Sequence, residues 1–166
     1  MNVFVDGRGF IRCGENRWPC AVGRSGLGQK SKEGDGLTPL GTHAFGRVFW
    51  RQDRIADLQT VLTTLASRQS MGWCDDPSQD DYNTLITLPH LGRFEELWRQ
   101  DHIYDLVVEI LYNTNPIISG QGSAIFMHIA RPDLSPTEGC IALKQDDLLE
   151  LLRMINENSR LIVGQK

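Results

Sequence analysis

A histidine and a cysteine in the C-terminal part of the sequence are the two residue types of a thiol-based acyl transfer site. Residues 123–129 read Ser-Ala-Ile-Phe-Met-His-Ile, an apolar run that carries His128, and a Pro-containing loop then leads to Cys140. A cysteine attacks an acyl carbon as a thiolate, and an imidazole within hydrogen-bonding reach is the usual acceptor of its proton. We therefore interpret Cys140 as a candidate nucleophile and His128 as its candidate base.

The residues just before Cys140 are suited to a tight turn. Thr137, Glu138 and Gly139 precede the cysteine, and glycine permits backbone conformations that other residues avoid. The backbone N–H groups of Gly139 and Cys140 could then point at a developing oxyanion, while Ser135 and Thr137 could orient the loop or the imidazole. The competing interpretation is that the cysteine is a small buried hydrophobe and the histidine a satisfied polar group.

Other clusters of reactive side chains are weaker candidates. Cys74 lies beside Asp75 and Asp76, whose negative charge raises the pKa of a thiol and so opposes thiolate formation. The two acids lack the spacing of a calcium-binding loop, which favours a solvated acidic loop. The sequence contains no H-E-x-x-H motif and no close histidine pair, so neither a metal nor another cofactor is predicted.

Composition predicts a single domain that does not bind nucleic acid. The chain of 166 residues is long enough to bury a core. Its net charge of −4 comes without any basic block that could neutralise phosphates. A Gly-rich loop at residues 23–36 resembles a phosphate-binding loop but no helix follows it, so nucleotide binding is not expected. The four cysteines form no C-x-x-C pair, and a disulfide between Cys13 and Cys20 stays open.

The N-terminal residues predict a cytoplasmic protein. They lack a basic segment followed by an apolar one, which a secretory signal requires, and no stretch of the sequence is long and apolar enough to span a bilayer. The alternative is export to the periplasm or cell envelope by another route.

Sequence patterns predict a mainly β (α+β) domain with few helices. Strands are expected at residues 2–5, 9–12, 18–22, 42–50, 104–111, 123–129 and 160–163. The pair Asp6-Gly7 favours a two-residue hairpin turn, and residues 71–83 are expected to form a loop. Residues 94–99 predict a short helix. Residues 54–69 combine apolar residues at helical spacing with a run rich in β-branched residues, so this segment stays uncommitted, with a preference for a short helix. A Leu-rich run that begins at Asp146 and Asp147 predicts an amphipathic helix near the C-terminus.

The segments that carry these candidates resemble a known family. His128 followed by Thr137-Glu-Gly-Cys-Ile141 is similar to the active-site signature of the L,D-transpeptidase catalytic domain (YkuD-type). Residues 34–41, Gly-Asp-Gly-Leu-Thr-Pro-Leu-Gly, resemble the turn that precedes a strand in this family. The segments Gly-Trp-Cys-Asp-Asp-Pro, Tyr-Asn and Gly-Ser-Ala-Ile-Phe-Met-His resemble a compact bacterial branch, so the likeness covers most of the chain.

This resemblance implies a fold and a mechanism. The fold would be one L,D-transpeptidase-like β-sandwich domain over residues 1–166, with a C-terminal helix. Cys140 would be the nucleophile, His128 the base, and the N–H groups of Gly139 and Cys140 the oxyanion hole, while the carbonyl of Ile129 would hold the imidazole tautomer. Family members cleave the bond between the L-centre of diaminopimelate and the terminal D-alanine of a peptidoglycan tetrapeptide. An amine then resolves the acyl-enzyme into a crosslink, or water resolves it into a carboxypeptidase product.

Two positions and one interval depart from the family pattern. Glu138 stands where histidine is common, Ala142 stands where arginine or asparagine is common, and the interval from His128 to Cys140 is shorter than in most members. Glu138 adds negative charge beside the thiol, and it would either raise the thiol pKa or supply a different proton carrier.

The predicted substrate is a peptidoglycan stem peptide or a free muropeptide. Side chains predicted to form the substrate wall are Trp73, Tyr104, Asp75 and Asp76. The predicted activity is L,D-transpeptidation through a Cys140 thioester, and a cytoplasmic location would favour the carboxypeptidase reaction instead. A non-catalytic module that binds wall peptides is the alternative from another class.

Overall fold

The computed structural model describes residues 1–164. In chain order its elements are β1 (Val3–Val5), β2 (Phe10–Cys13), β3 (Asn16–Ala21), β4 (Leu27–Gly28), β5 (Thr38–Pro39), β6 (Gly41–Trp50), β7 (Thr64–Ala66), β8 (Met71–Cys74), β9 (Leu85–Thr87), β10 (Phe94–Glu96), β11 (Leu106–Ile110), β12 (Phe126–Ile129), β13 (Ile141–Leu143), α1 (Gln145–Met154) and β14 (Arg160–Val163). The mainly β character predicted from the sequence is confirmed.

Eight strands close into a barrel-like ring. Their order is β11-β12-β13-β3-β2-β1-β14-β6, and β6 pairs again with β11. Strand β6 closes the ring because it is long, since residues 41–44 pair with β14 while residues 45–50 pair with β11. The expected β-sandwich is therefore not confirmed. Over residues 1–164, one sheet curls onto itself where a sandwich would have two separate sheets.

Alternation along the strands separates two apolar clusters. On β12, Met127 and Ile129 belong to the larger cluster, whereas Phe126 belongs to the smaller one and His128 shares its face. The larger cluster draws residues from all eight ring strands, so it fills the ring interior. The smaller cluster lies on the outer face of β6, β11 and β12, and it consists of Phe49, Trp73, Leu97, Tyr104, Val107, Ala124, Phe126 and Cys140.

The C-terminal helix is confirmed. α1 buries Leu148, Leu151 and Leu152 against the interior cluster. Asp146 and Asp147 lie in its first turn and Arg153 in its last. These charges oppose the partial charges of the helix ends and so stabilise the helix.

A small three-stranded sheet, ordered β10-β8-β9, overturns two expectations. Residues 71–83 contain strand β8, which pairs with β9 on one side and with β10 on the other. Residues 94–99 are not a helix, because Phe94–Glu96 pairs with β8. In both segments, pairing with another strand of the folded protein decides the structure, and the local sequence pattern does not show that pairing.

The remaining local predictions also need correction. Residues 54–69 contain no helix, and Thr64–Ala66 pairs in parallel with β6, consistent with the β-branched residues of that segment. The β1–β2 hairpin has a longer turn than predicted, since the Asp6 carboxylate accepts hydrogen bonds from the N–H groups of Arg8 and Phe10.

Cys13 and Cys20 are free, buried thiols. They do not face each other, since Cys13 pairs with Asn16 and Cys20 with Leu143. Among residues 1–164, no helix has the length and apolar character that crossing a membrane requires.

Candidate active site

Cys140 and His128 are held by neighbouring parallel strands. His128 on β12 lies opposite Ala142 on β13, and Cys140 immediately precedes β13. Since alternate residues share a face, the side chains of Cys140 and His128 lie on the same outer side of the sheet. Both line a cavity of about 660 Å³. The structure thus brings together the two residues on which the sequence hypothesis rests.

The thiol of Cys140 is buried and bonded to the backbone. Sγ donates to the carbonyl oxygen of Ala124 at 3.3 Å and accepts from the N–H of Phe126 at 3.4 Å. Burial raises the pKa of Cys140 to about 12, and the negative charge of Glu95 adds to this rise. The resting nucleophile is therefore a neutral thiol at physiological pH.

The imidazole of His128 is held in one tautomer. Nδ1 lies 2.9 Å from the carbonyl oxygen of Ile129. Because a carbonyl can only accept, Nδ1 carries the proton and Nε2 is the free acceptor. Burial lowers the pKa of His128 to about 4, and the positive charges of Arg99 and Arg131 act in the same direction. This geometry matches the role that the family resemblance implied for Ile129.

The resting pair is a neutral thiol and a neutral imidazole, not an ion pair. The hydrogen bonds of Cys140 Sγ within residues 1–164 go to backbone groups, so the S–H must turn away from Ala124 to reach Nε2 of His128. Catalytic hydrogen bonds are often completed only when substrate is bound. The arrangement can therefore perform general-base activation of a thiol at the moment of attack.

Thr137 organises the turn before the nucleophile. Its hydroxyl donates to the carbonyl oxygen of Cys140 at 2.6 Å and accepts from the N–H of Gly139 at 3.1 Å. An oxyanion would have to replace Thr137 before it could use the Gly139 N–H. Gly139 has φ of +141°, and a Cβ there would lie 2.9 Å from the carbonyl oxygen of Leu37. The turn thus requires glycine at this position.

Thr38 is a positioning residue that the sequence hypothesis did not include. It is fully buried on β5, its hydroxyl donates to the carbonyl oxygen of Gly139 at 2.9 Å, and it accepts from the N–H of Gly23 at 2.8 Å. The Gly-rich loop therefore supports the nucleophile turn and does not resemble a phosphate cradle. The sequence signal that could have identified Thr38 is the Thr-Pro turn that precedes β6.

Glu138 points to solvent. Its side chain is 78% exposed and pairs with Arg24, with Nε and Oε2 2.9 Å apart. Glu138 is the last of the influences on the pKa of Cys140, behind burial and Glu95. The charge that the sequence places beside the thiol is thus largely compensated by solvent and by Arg24. The other departure, Ala142, is a buried β13 residue opposite His128.

The predicted substrate-wall residues fall into two groups. Tyr104 and Asp75 line the cavity. Trp73 is 2% exposed and its indole N–H donates to Asn83 Oδ1 at 3.0 Å, so it is a core residue beneath the site. Asp76 accepts hydrogen bonds from Ser78 and from the N–H of Arg93, and it is not a lining residue.

Ser135 also lies away from the site. Its N–H donates to Asp133 Oδ1 at 3.0 Å, and it does not line the cavity. The loop between β12 and β13 therefore uses Thr137, and not Ser135, to orient the nucleophile.

Tyr104 connects the base to an acid that was missed in the sequence. Its ring packs edge-on against the His128 ring, with centroids 5.2 Å apart, and its hydroxyl donates to Glu95 Oε2 at 2.7 Å. Burial raises the pKa of the Glu95 carboxyl. Glu95 was overlooked because its segment was interpreted as a helix, whereas strand β10 directs it into the cavity.

Several charged residues of the cavity were also missed. They come from segments distant in sequence, and they are Lys30, Glu33, Arg93, Arg99 and Arg131. Only Arg131 had a local signal, because it follows shortly after His128. The cavity thus carries both signs of charge.

One cluster has ligand atoms close enough for a metal. The donor atoms of Cys74, Asp81 and His90 lie within 4.8 Å of one another. Hydrogen bonds account for the cluster, since His90 Nε2 lies 3.0 Å from Asp81 Oδ2. Burial also raises the pKa of Cys74, which keeps its thiol protonated.

Comparison with known proteins identifies the family of the chain. Residues 2–163 match the family model described as the L,D-transpeptidase catalytic domain, YkuD. The chain therefore belongs to the L,D-transpeptidase catalytic domain family, whose members are typically cysteine-dependent enzymes of peptidoglycan.

Among solved structures, the fold resembles the helical cell shape determining protein Pgp2 from Campylobacter jejuni. The two share 16% identity with a TM-score of 0.51, over 99% of this chain and 48% of that one. A mutant of Pgp2 gives 14% identity and the same TM-score, over 99% and 47%. The chain thus spans about half the length of these structures. No curated protein matches the sequence.

Proposed function

We propose that this protein is a cysteine-dependent acyltransferase that acts on peptidoglycan stem peptides, with Cys140 as nucleophile and His128 as base. The observation that carries the proposal is the hydrogen bond from His128 Nδ1 to the Ile129 carbonyl. It leaves Nε2 unprotonated in the same cavity as the Cys140 thiol. Membership of the family supplies the substrate class.

The first half of the reaction would form a thioester. His128 Nε2 takes the thiol proton while Sγ of Cys140 bonds to the carbonyl carbon of the diaminopimelate L-centre. The oxyanion is stabilised by the Cys140 N–H, joined by that of Gly139 if it leaves Thr137. The imidazolium then gives its proton to the nitrogen of the terminal D-alanine, the C–N bond breaks, and the amino acid departs.

The second half decides between two products. A stem-peptide amine that attacks the thioester gives a crosslink and a transpeptidase. Water gives a shortened peptide and a carboxypeptidase. A cavity of about 660 Å³ has the volume of a single small-ligand site, which supports one stem peptide as the acyl donor.

Acylation by a carbapenem tests the nucleophile. Intact-protein mass spectrometry is expected to show one adduct on the wild type and none on Cys140→Ala, while Cys74→Ala, a matched change of a second buried thiol, keeps the adduct. Absence of an adduct on the wild type, or an equal adduct on Cys140→Ala, would exclude this mechanism and favour a non-catalytic binding module. Incubation with a diaminopimelate tetrapeptide then distinguishes dimer, the transpeptidase product, from free tripeptide, the carboxypeptidase product.

A further inference from the structure

The chemistry of the leaving group sets a geometric requirement on the site. When the scissile bond precedes a C-terminal amino acid, the leaving nitrogen and the terminal carboxylate are attached to the same α-carbon. The group that protonates this nitrogen is His128 in the proposed function. A cation that binds the carboxylate must therefore lie beside His128, and not elsewhere in the cavity.

Most cations of the cavity are already committed to carboxylates of the chain. Lys30 is paired with Asp35, and both side chains are almost completely buried. Arg93 pairs with Asp75, with Nε and Oδ1 3.0 Å apart. Neither is available without breaking an existing ion pair.

Arg131 is the uncommitted cation. Its side chain is exposed and lines the cavity together with His128. Within residues 1–164 it takes part in no ion pair. It follows β12 by two residues, so the strand that carries the base also brings this guanidinium to the same end of the cavity.

Arg99 is a second cation of the cavity near His128. Its guanidinium carbon is 5.2 Å from the centroid of the Tyr104 ring, and that ring packs against His128. Arg99 binds the half-exposed Asp101 through Nε and Nη2, at 2.8 and 2.7 Å. Nη1 takes no part in that pair and remains able to donate. The positive charges of Arg99 and Arg131 both lower the pKa of His128, which is consistent with their closeness to the ring.

We propose that Arg131, supported by Arg99, binds the terminal carboxylate of the leaving amino acid and makes the enzyme specific for peptides that end directly after the scissile bond. The inference rests on the proposed function and adds a specificity-determining residue to it. Arginine suits this task because its planar guanidinium binds a carboxylate through two parallel hydrogen bonds. A stem peptide with a C-terminal amide, or with one further residue, lacks the carboxylate at this place.

The test compares a diaminopimelate tetrapeptide as the free acid and as the C-terminal amide. Wild type is expected to cleave the free acid with kcat/KM about 10- to 100-fold higher than the amide, the range for loss of a charge-assisted hydrogen bond. Arg131→Met is expected to bring the ratio of the two kcat/KM values, free acid over amide, close to 1, because only the free acid offers the carboxylate that Arg131 binds. Arg131→Lys keeps the charge without the two-pronged geometry and is expected to fall between.

Controls separate this role from a structural one. Arg12→Met changes an arginine that is exposed and packs on Phe4, and it is expected to leave the acid-to-amide ratio unchanged. Alkylation of Cys140 by neutral iodoacetamide is expected to be the same in Arg131→Met and wild type.

The outcomes that overturn the inference are distinct from those that overturn the function. Equal cleavage of the acid and the amide by wild type, or an equal fall on both substrates in Arg131→Met, overturns the role of Arg131 alone. Failure of wild type to process either substrate overturns the proposed function, and the inference with it.

Discussion

The thiol of Cys140 donates its hydrogen bond to the carbonyl oxygen of Ala124, 3.3 Å away. Ala124 is itself fixed, because its N–H donates to the buried amide of Asn83 at 3.0 Å. The nucleophile is thus stored as a neutral, bonded thiol. In the proposed function this proton passes to His128, and the S–H must first leave the Ala124 carbonyl.

The alkylation rate of Cys140 should therefore depend steeply on pH. Burial raises the pKa of this thiol to about 12 from the ordinary 9.0, so the thiolate fraction rises about tenfold per pH unit across the neutral and mildly alkaline range. Peptide mapping after brief iodoacetamide treatment of the free protein measures the rate. The urea-unfolded chain is the control and should level off near the ordinary thiol pKa. A plateau near neutral pH in the folded protein would contradict the stored neutral thiol.

Acid should destabilise the fold through His128. Burial lowers its pKa to about 4 from 6.5, so between these values the unfolded ring binds a proton and the folded ring does not. The contribution of His128 to the free energy of unfolding is then fully present above about pH 6.5. The free energy of unfolding falls by about 3 kcal/mol as the pH drops to about 4. Urea unfolding at about pH 7.5 and about pH 4.5 measures the loss. His128→Gln should lose less over the same interval, and an identical loss would show that His128 does not titrate this way.

Removal of the Thr137 hydroxyl should impair both the turn and the reaction. Thr137→Val keeps the shape but leaves the Gly139 N–H and the Cys140 carbonyl without this partner. We expect the free energy of unfolding to fall by about 1–3 kcal/mol and carbapenem acylation to slow about tenfold. Thr137→Ser should restore most of both. Ser135→Ala is the matched control, and an equal effect there would assign the loss to the loop in general.

Trp73 should behave as a core residue and not as a substrate contact. Its ring packs edge-on against Phe126 with centroids 5.1 Å apart, and its N–H binds Asn83. Trp73→Phe should lower the free energy of unfolding by about 1–3 kcal/mol, with little change in KM for the tetrapeptide. Chemical denaturation and steady-state kinetics measure the two quantities. A raised KM with an unchanged free energy of unfolding would contradict this prediction and would indicate that Trp73 contacts the substrate.

Glu138 should matter little to the thiol. Its side chain is 78% exposed and paired with Arg24, and an exposed pair contributes about 0–1 kcal/mol. Glu138→Gln is expected to change the free energy of unfolding by no more than about 1 kcal/mol. The activation free energy of carbapenem acylation is expected to change by no more than the same amount. Arg24→Gln breaks the same pair and serves as the control. A large acceleration in Glu138→Gln would show that this carboxylate suppresses the thiolate.

The sequence predicted the local β structure better than the closure of the sheet. Alternation identified the strand at 42–50, because its residues obey the period of two whatever they pair with. Ring closure depends on β6 pairing with both β14 and β11, which lie far apart in the chain. No local pattern records such pairing. The helix expected at 94–99 was wrong for the same reason, since β8 is the partner that makes the segment a strand.

The residues of the candidate site were predicted or missed for the same reason. Cys140 and His128 were found because they lie close together in one segment with a recognisable signature. Glu95 and Arg99 were missed because each comes from a distant segment and reaches the cavity only in the folded protein. Thr38 was missed because its hydroxyl meets the Gly139 carbonyl only in the folded chain. The solvent exposure of individual side chains could not be predicted either. Glu138 is exposed to solvent, whereas Tyr104 is buried.

The parallel pairing of β12 with β13 has a consequence for inactivation by heat. His128 lies within this hydrogen-bonded ladder and Cys140 directly precedes it, so the same pair of strands fixes both candidate residues. Local unfolding at the surface of the protein therefore cannot separate the two residues. Catalytic competence and the folded barrel should therefore vanish together in a single thermal transition.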